Sequence, residues 1–327
     1  MEELLNFESS VYNEGDFSSS EIGDLEFWVN RIVILPSIRP FSVDKAVNLS
    51  IKYGKNAYFK EFLLEESFES CPVLIHRLYQ KGFFGIDEIQ PYFLKENCFH
   101  LCFYFRKMIV DFNGFIVCKE KPRSFDESFI WNEEDIDLLI KFGYKPSTIE
   151  YCLKYDDIDA FKDIFPIKPN KARISPFEWS NLPKSLDYLS FSSFFGSIKC
   201  FKYMLVNGFS ITENVIASVM CSGNMDLFHI CEYERINYST QIQYASKFNH
   251  LSFVKYCIDN GAKVSEGISK DSPLIEACKY GHLGIVVYLV SIGVNVNGTD
   301  LEAITFFLAD LRFIGPHSMD IGLSLST

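Results

Sequence analysis

GHLGIVVYLV, residues 281–290, opens on a turn-forming glycine, carries an aliphatic residue in third place and sets apolar residues in the fifth, sixth and ninth. That spacing is one face of a helix. Four upstream decads share it: DDIDAFKDIF from Asp156, GSIKCFKYML from Gly196, GNMDLFHICE from Gly223 and NHLSFVKYCI from Asn249. A helix that keeps returning with the same apolar face is the sequence form of a solenoid, because each unit can hide its stripe only against its neighbours. The pattern implies a binding scaffold and leaves the bound molecule unnamed.

Further helix stops lie between the decads. Asp135–Lys141 is expected to end at Phe142-Gly143, Cys200–Val206 at Asn207-Gly208, Phe253–Asp259 at Asn260-Gly261 and Ile285–Ser291 at Ile292-Gly293. A glycine just past a helix end supplies the left-handed conformation that closes the last carbonyls. Nearer the N-terminus, helices without a clean repeat are expected over Leu25–Leu35, Val43–Tyr53, Ala57–Glu66, Pro72–Lys81 and Cys98–Val110. Pro36, Pro40, Gly54, Gly82 and Pro91 punctuate them, and Asn113–Cys118 is one short extended piece. The expected fold class is all-α, a helical-repeat solenoid preceded by an irregular helical N-terminal region. Residues 1–23 form a disordered lead-in, 24–130 the helical region, 131–312 degenerate repeats that are clearest at 240–297, and 313–327 a flexible tail.

Ser272-Pro273-Leu274-Ile275-Glu276-Ala277, followed by GHLGIVVYLVSIGVNVN, resembles an ankyrin repeat with its T-P-L-H-x-A opening. The chemistry agrees: Ser272 can cap the first helix, Pro273 suits its first turn, Leu274 enters the core and Ala277 permits close packing. Gln241–Val264 matches through Ala245, Asn249-His250-Leu251, Val254 and Asn260-Gly261-Ala262. The decads start 40, 27, 26 and 32 residues apart. Ankyrin repeats run near 33 residues, so the two short intervals hold two helices with little room for a projecting hairpin. Together these features resemble divergent ankyrin proteins of large families in unicellular parasites, in which a helical N-terminal region precedes degenerate repeats. The resemblance implies that His250 and His282, at one repeat position, tie turns together through ring hydrogen bonds. It also implies partner contacts at Ile268, Ser269, Asp271, Lys279 and Tyr280, with Lys247 and Phe248 in the preceding unit. Tyr280 and Phe248 are either the aromatic anchors of that contact or shields of the seam between repeats. After Gly298, Phe306, Phe307 and Leu308 either pack inward as a cap or mark a chain cut short.

Charge and composition narrow the function. A formal net charge of −12 over 327 residues repels polyanions, which excludes nucleic acid and acidic membranes as expected partners. The basic stretch Lys168–Arg173, set among prolines, reads as a solvated linker. Thirty-two phenylalanines occupy places where repeat cores more often carry Leu or Ala. Ten cysteines, many at apolar helical positions such as Cys152, Cys200, Cys231, Cys257 and Cys278, look like buried reduced thiols. The acidic N-terminus lacks the regions of a signal peptide, and the apolar stretch Cys98–Val110 is too short to span a bilayer. A cytoplasmic or nuclear monomer is expected.

No catalytic, metal or cofactor site is expected. Cys98, His100 and Cys102 lack a fourth ligand, and on a helix His100 faces away from the two thiols. The clusters Glu133-Glu134-Asp135-Asp137 and Asp156-Asp157-Asp159 suit helix N-termini better than a calcium loop. The expected function is a non-catalytic protein–protein interaction scaffold. The alternative is a substrate-recruiting subunit of an enzyme assembly such as a ubiquitin ligase, with residues 25–130 docking the catalytic partner through a contiguous apolar patch for which Cys98–Val110 is a candidate.

Overall fold

The computed structural model describes residues 25–54, 57–96, 98–109, 133–165, 171–182, 186–264 and 272–294. The described residues are helical and contain no strand, as the all-α expectation requires; Lys171 and Asp187 form an isolated antiparallel bridge. The chain divides into two compact units, one spanning Trp28–Tyr188 and the other holding Leu189 onward. The expected division at 130/131 therefore differs from the observed one: the helices between 133 and 163 cluster with the N-terminal unit.

The N-terminal unit contains α1 (Leu25–Ile38), α2 (Val43–Tyr53), α3 (Ala57–Ser70), α4 (Pro72–Gln80), α5 (Ile86–Ile89), α6 (Phe99–Tyr104), α7 (Glu133–Phe142), α8 (Ile149–Tyr155) and α9 (Ile158–Asp163). Helix α4 sits at its centre, packed on α2, α3 and α6, with Leu74, Ile75 and Leu78 fully buried. Pro36 does not end α1, which continues through it to Ile38. Side chains close that end: Ser37 Oγ donates to Ile34 O (2.7 Å) and Ser42 Oγ to Leu35 O (3.0 Å).

Cys98–Val110 is not the single helix expected. It breaks at Phe105 into α6 and a 3₁₀ turn, Arg106–Met108, where the buried Arg106 guanidinium pairs with Asp137 on α7. Phe99, Leu101, Phe103 and Phe105 are all buried, so this segment supplies core and not an exposed apolar patch. The expected extended piece Asn113–Cys118 and the tail lie outside the described residues.

The described part of the basic stretch also differs from a solvated linker. Ala172 N donates to Leu186 O (2.8 Å) and Arg173 N to the Glu150 carboxylate (2.9 Å), which pins the backbone. Beyond it, Glu178 pairs with Lys154 at 2.7 Å, with side chains only 4% and 11% exposed. Lys154 Nζ also donates to Phe142 O, and Trp179 Nε1 donates to Tyr104 Oη at 2.7 Å.

The second unit is a row of helix pairs: α10 (Tyr188–Phe195) with α11 (Ile198–Val206), α12 (Glu213–Ser222) with α13 (Met225–Cys231), α14 (Tyr238–Lys247) with α15 (Leu251–Asp259), and α16 (Pro273–Lys279) with α17 (Leu283–Ser291). First helices α12, α14 and α16 lie side by side, and α15 packs on α17. The periodic positions become the core: Cys200, Phe201, Met204, Leu227, Phe228, Cys231, Phe253, Val254, Cys257, Ile285 and Leu289 are all at most 1% exposed. Each such aliphatic or aromatic side chain contributes about 1.5–3 kcal/mol on burial.

The turn inside each pair is the residue that opens each decad. Gly196, Gly223, Asn249 and Gly281 have φ of +75°, +68°, +56° and +64°, and Asp156 in the N-terminal unit has +54°. At Gly196, Asn249 and Gly281 the next residue returns its N–H to the carbonyl five places back, as in His250 N to Ala245 O (2.9 Å) and His282 N to Ala277 O (2.8 Å), whereas after Gly223 the Asn224 N–H donates to Ser222 Oγ (3.2 Å). The stops expected after the second helices at Gly208, Gly261 and Gly293 are likewise left-handed. Ser272 caps α16 by accepting from Ile275 N (3.2 Å), as expected. Across pairs, His250 Nε2 donates to Cys221 O (2.8 Å) and His282 Nε2 to Lys247 O (2.9 Å). Both acceptors stand two residues before a left-handed turn, so the histidines do link turns as the resemblance implied.

A Cβ on Gly223 would stand 2.1 Å from His250 Cε1, whereas one on Gly208 (φ +88°) meets nothing within 4 Å. Gly208→Ala is therefore expected to cost about 1–2 kcal/mol from conformation alone. Gly223→Ala adds overpacking and should cost about 2–5 kcal/mol. Urea unfolding midpoints of the two variants check the contrast. In the N-terminal unit, Lys154→Met leaves the buried Glu178 carboxylate uncompensated and should cost about 3–5 kcal/mol, with Lys154→Met/Glu178→Leu recovering most of it in the same denaturation assay.

Candidate partner-binding surface

The last turn of a first helix cannot be buried all round, because its side chains fan outward just before the chain reverses. On α14 that turn holds Lys247 and Phe248, and on α16 it holds Lys279 and Tyr280. The structure separates these four. Lys279 is exposed, and Lys247 and Tyr280 are partly exposed. Phe248 is 1% exposed, its ring edge-on to Phe194 at 5.5 Å. Of the two readings left open for Phe248, its burial favours the shield of the seam over the exposed anchor, and it is not available as a partner contact in this conformation. Ile268, Ser269 and Asp271 lie outside the described residues.

What remains is a cationic aromatic strip. Lys247 Nζ stands 5.4 Å from the Tyr280 ring centroid, within the range of a cation–π contact. The Tyr280 ring stacks on the His282 imidazole at 6.1 Å, 14° from parallel. Since His282 also holds Lys247 O, the ring that locks the two pairs together is the one that braces the tyrosine. Lys279 Nζ reaches Glu276 Oε1 at 3.4 Å, a weak exposed pair that a partner can replace.

Helical spacing adds residues that the sequence reading passed over. Gln243 and Tyr244 are partly exposed one turn before Lys247, and Glu276 one turn before Lys279. A separate cluster joins Glu232 to Tyr256 and His229. The Glu232 carboxylate accepts from Tyr256 Oη and stands 2.7 Å from His229 Nδ1, and accepting that hydroxyl hydrogen bond pushes the Tyr256 phenol up to about 12. The connections 207–212 and 232–237 are short, so in the middle of the row there is little to project as a finger.

The cysteine and acidic candidates have structural roles. Cys102 Sγ approaches Cys98 Sγ at 3.6 Å, while His100 packs edge-on to Trp179 at 5.2 Å, so the three do not converge. Asp157 caps α9 by accepting from Ala160 N (3.2 Å), and Asp135 pairs with Lys145 (2.7 Å). The described cysteines are all buried, and burial pushes Cys71, Cys231, Cys257 and Cys278 up to about 12. Such thiols are not nucleophiles at neutral pH.

Phe248→Ala is expected to cost about 3–5 kcal/mol by emptying a buried ring site, and Tyr280→Ala about 1 kcal/mol or less. Thermal unfolding followed by circular dichroism distinguishes the core residue from the surface one.

Comparison with known proteins agrees with this geometry. Residues 189–300 match the family model of ankyrin repeats, in three copies. Among solved structures, the crystal structure of the human ASB11 ankyrin repeat domain is similar at 19% identity, over 51% of this chain and 84% of that chain, with a TM-score of 0.35. No curated protein matches the chain. The helix pairs of the second unit, their left-handed turns and the inter-pair histidines fall within the matched span, and residues 189–300 resemble a run of ankyrin repeats.

Proposed function

We propose that the chain is a non-catalytic scaffold that presents the strip Lys247, Tyr280 and Lys279 to a protein partner. Ankyrin repeats support a protein–protein interaction role. The observation that carries the finer reading is the bracing of Tyr280: a half-exposed aromatic ring stacked on a buried imidazole and flanked by two lysines. A ring held in place before binding loses little freedom on contact, and tyrosine is among the residues that dominate interface energies. The lysines favour an acidic partner surface. Ile268, Ser269 and Asp271 belong to the same proposed surface through the repeat pattern.

The surrounding chemistry is consistent with an intracellular setting, in the cytoplasm or nucleus, because the described cysteines are buried thiols. No helix among the described residues is long and apolar enough to cross a membrane. The alternative, a substrate-recruiting subunit docked to an enzyme through residues 25–130, is not supported by Cys98–Val110, since Phe99, Phe103 and Phe105 are core.

Affinity capture from a cytosolic extract tests the reading, with the intact chain beside Lys247→Glu/Tyr280→Ala. Proteins retained by the intact chain should fall at least about tenfold with the variant, at unchanged ellipticity and melting temperature. Equal retention by the two folded proteins would overturn it.

A further inference from the structure

Two of the cavities among the described residues of the N-terminal unit, of about 400 and 230 Å³, share Arg77, Ile140 and Lys141 in their walls. The larger is in the size range of small-ligand pockets. Its charged wall is unusual for a chain with a net charge of −12. Helix α4 contributes Arg77, the 3₁₀ turn contributes Arg106 and Lys107, and α7 contributes Asp137 and Lys141. Four cations thus face one carboxylate.

That carboxylate is already engaged. Asp137 accepts from both Arg106 and Lys107, the latter at 2.8 Å, and these two bonds hold its pKa below the usual carboxylate range against the opposing pull of desolvation. Among the described residues, Arg77 and Lys141 have no carboxylate partner. Arg77 is partly buried, and a guanidinium withdrawn from water without an anion is unfavourable. Beside it, His76 Nδ1 is buried and makes no hydrogen bond. Burial first, then the charges of Arg77 and Arg106, lower its pKa to about 4, so near neutral pH the ring is uncharged and offers a hydrogen bond without adding a fifth cation.

The rest of the wall is aromatic. Tyr79, Tyr104 and Phe105 line the same cavity, with Phe105 edge-on to Tyr79 at 5.3 Å and to the His76 ring at 5.6 Å. Three surplus positive charges match a phosphate dianion better than a single carboxylate, and the guanidinium fork fits phosphate oxygens bidentately. An aromatic floor selects a flat organic group.

We propose that this recess binds a small phosphomonoester carrying an aromatic ring, with the phosphate between Arg77 and Lys141 and the ring against Tyr79, Tyr104 and Phe105. The site belongs to the N-terminal unit alone and is independent of the repeat surface. The adjoining cavity leaves room for a larger substituent. Phe41 stands at its wall, 56% exposed and held at φ +66°, a conformation unfavourable for a bulky side chain and one that clusters at ligand sites.

Isothermal titration of the full chain tests this with phenyl phosphate, adenosine monophosphate, inorganic phosphate and benzoate as probes. Saturable binding of phenyl phosphate or adenosine monophosphate is expected, at least about tenfold tighter than inorganic phosphate or benzoate. Both Arg77→Gln and Lys141→Gln should weaken it about tenfold or more. Lys141 is exposed, so Lys141→Gln serves even where Arg77→Gln does not fold. Absence of saturable binding of either aromatic phosphomonoester to the folded chain overturns the proposal. So does equal affinity for inorganic phosphate, or binding that Lys141→Gln leaves unchanged.

Discussion

The hydrogen bond from an imidazole in one helix pair to the carbonyl near the end of the first helix of the preceding pair constrains the rest of the repeat segment. The last carbonyls of a helix have no partner within it, and leaving one buried and unanswered costs about 1–3 kcal/mol. His250 answers Cys221 O and His282 answers Lys247 O. For the ring to reach, the preceding pair must turn within two residues of that carbonyl, and the turn must leave space for the ring. At Gly223 the space is complete: the imidazole occupies what a Cβ would need. Asn224 holds the corresponding place one pair earlier, beside Gly196, and spends its carbonyl on capping α13 through Leu227 N (3.0 Å). Turn residue, ring and inter-pair register are therefore one requirement seen at three positions.

The N-terminal unit is organised by a different kind of contact. Its determinants are long in sequence: Trp179 to Tyr104, Glu178 to Lys154, Arg106 to Asp137. They join a helical scaffold to an irregular segment, 171–182, whose backbone is held by side-chain acceptors such as the Glu150 carboxylate. Aromatic rings fill the space between, as where Phe177 packs edge-on to both Phe103 and Tyr104. Such contacts fix one conformation without producing any repeat in the sequence.

This contrast explains what the sequence revealed and what it did not. The repeat register was legible because local chemistry and long-range packing share one period: the residue opening each decad is left-handed at all five places, Asp156 included. Spacing alone leaves Phe248 and Tyr280 open between anchor and seam shield because it gives both the same place at a helix end, and only packing separates the buried Phe248 from the partly exposed Tyr280. The break of Cys98–Val110 was invisible because its partner, Asp137, lies 31 residues on from Arg106. Gly82 is a partial case. It was read as punctuation, yet it closes α4 as Gly208 closes α11, with Phe83 N returning to Leu78 O at 2.9 Å and Phe209 N to Met204 O at 3.1 Å. The cationic recess left no trace, since its charges come from three separate elements.

The side-by-side arrangement of α12, α14 and α16 has a mechanical consequence. Successive pairs are joined in series, and His250 and His282 are the rungs between them. Elements in series all bear the same load, so a seam deprived of its imidazole rung becomes the weakest point of the row.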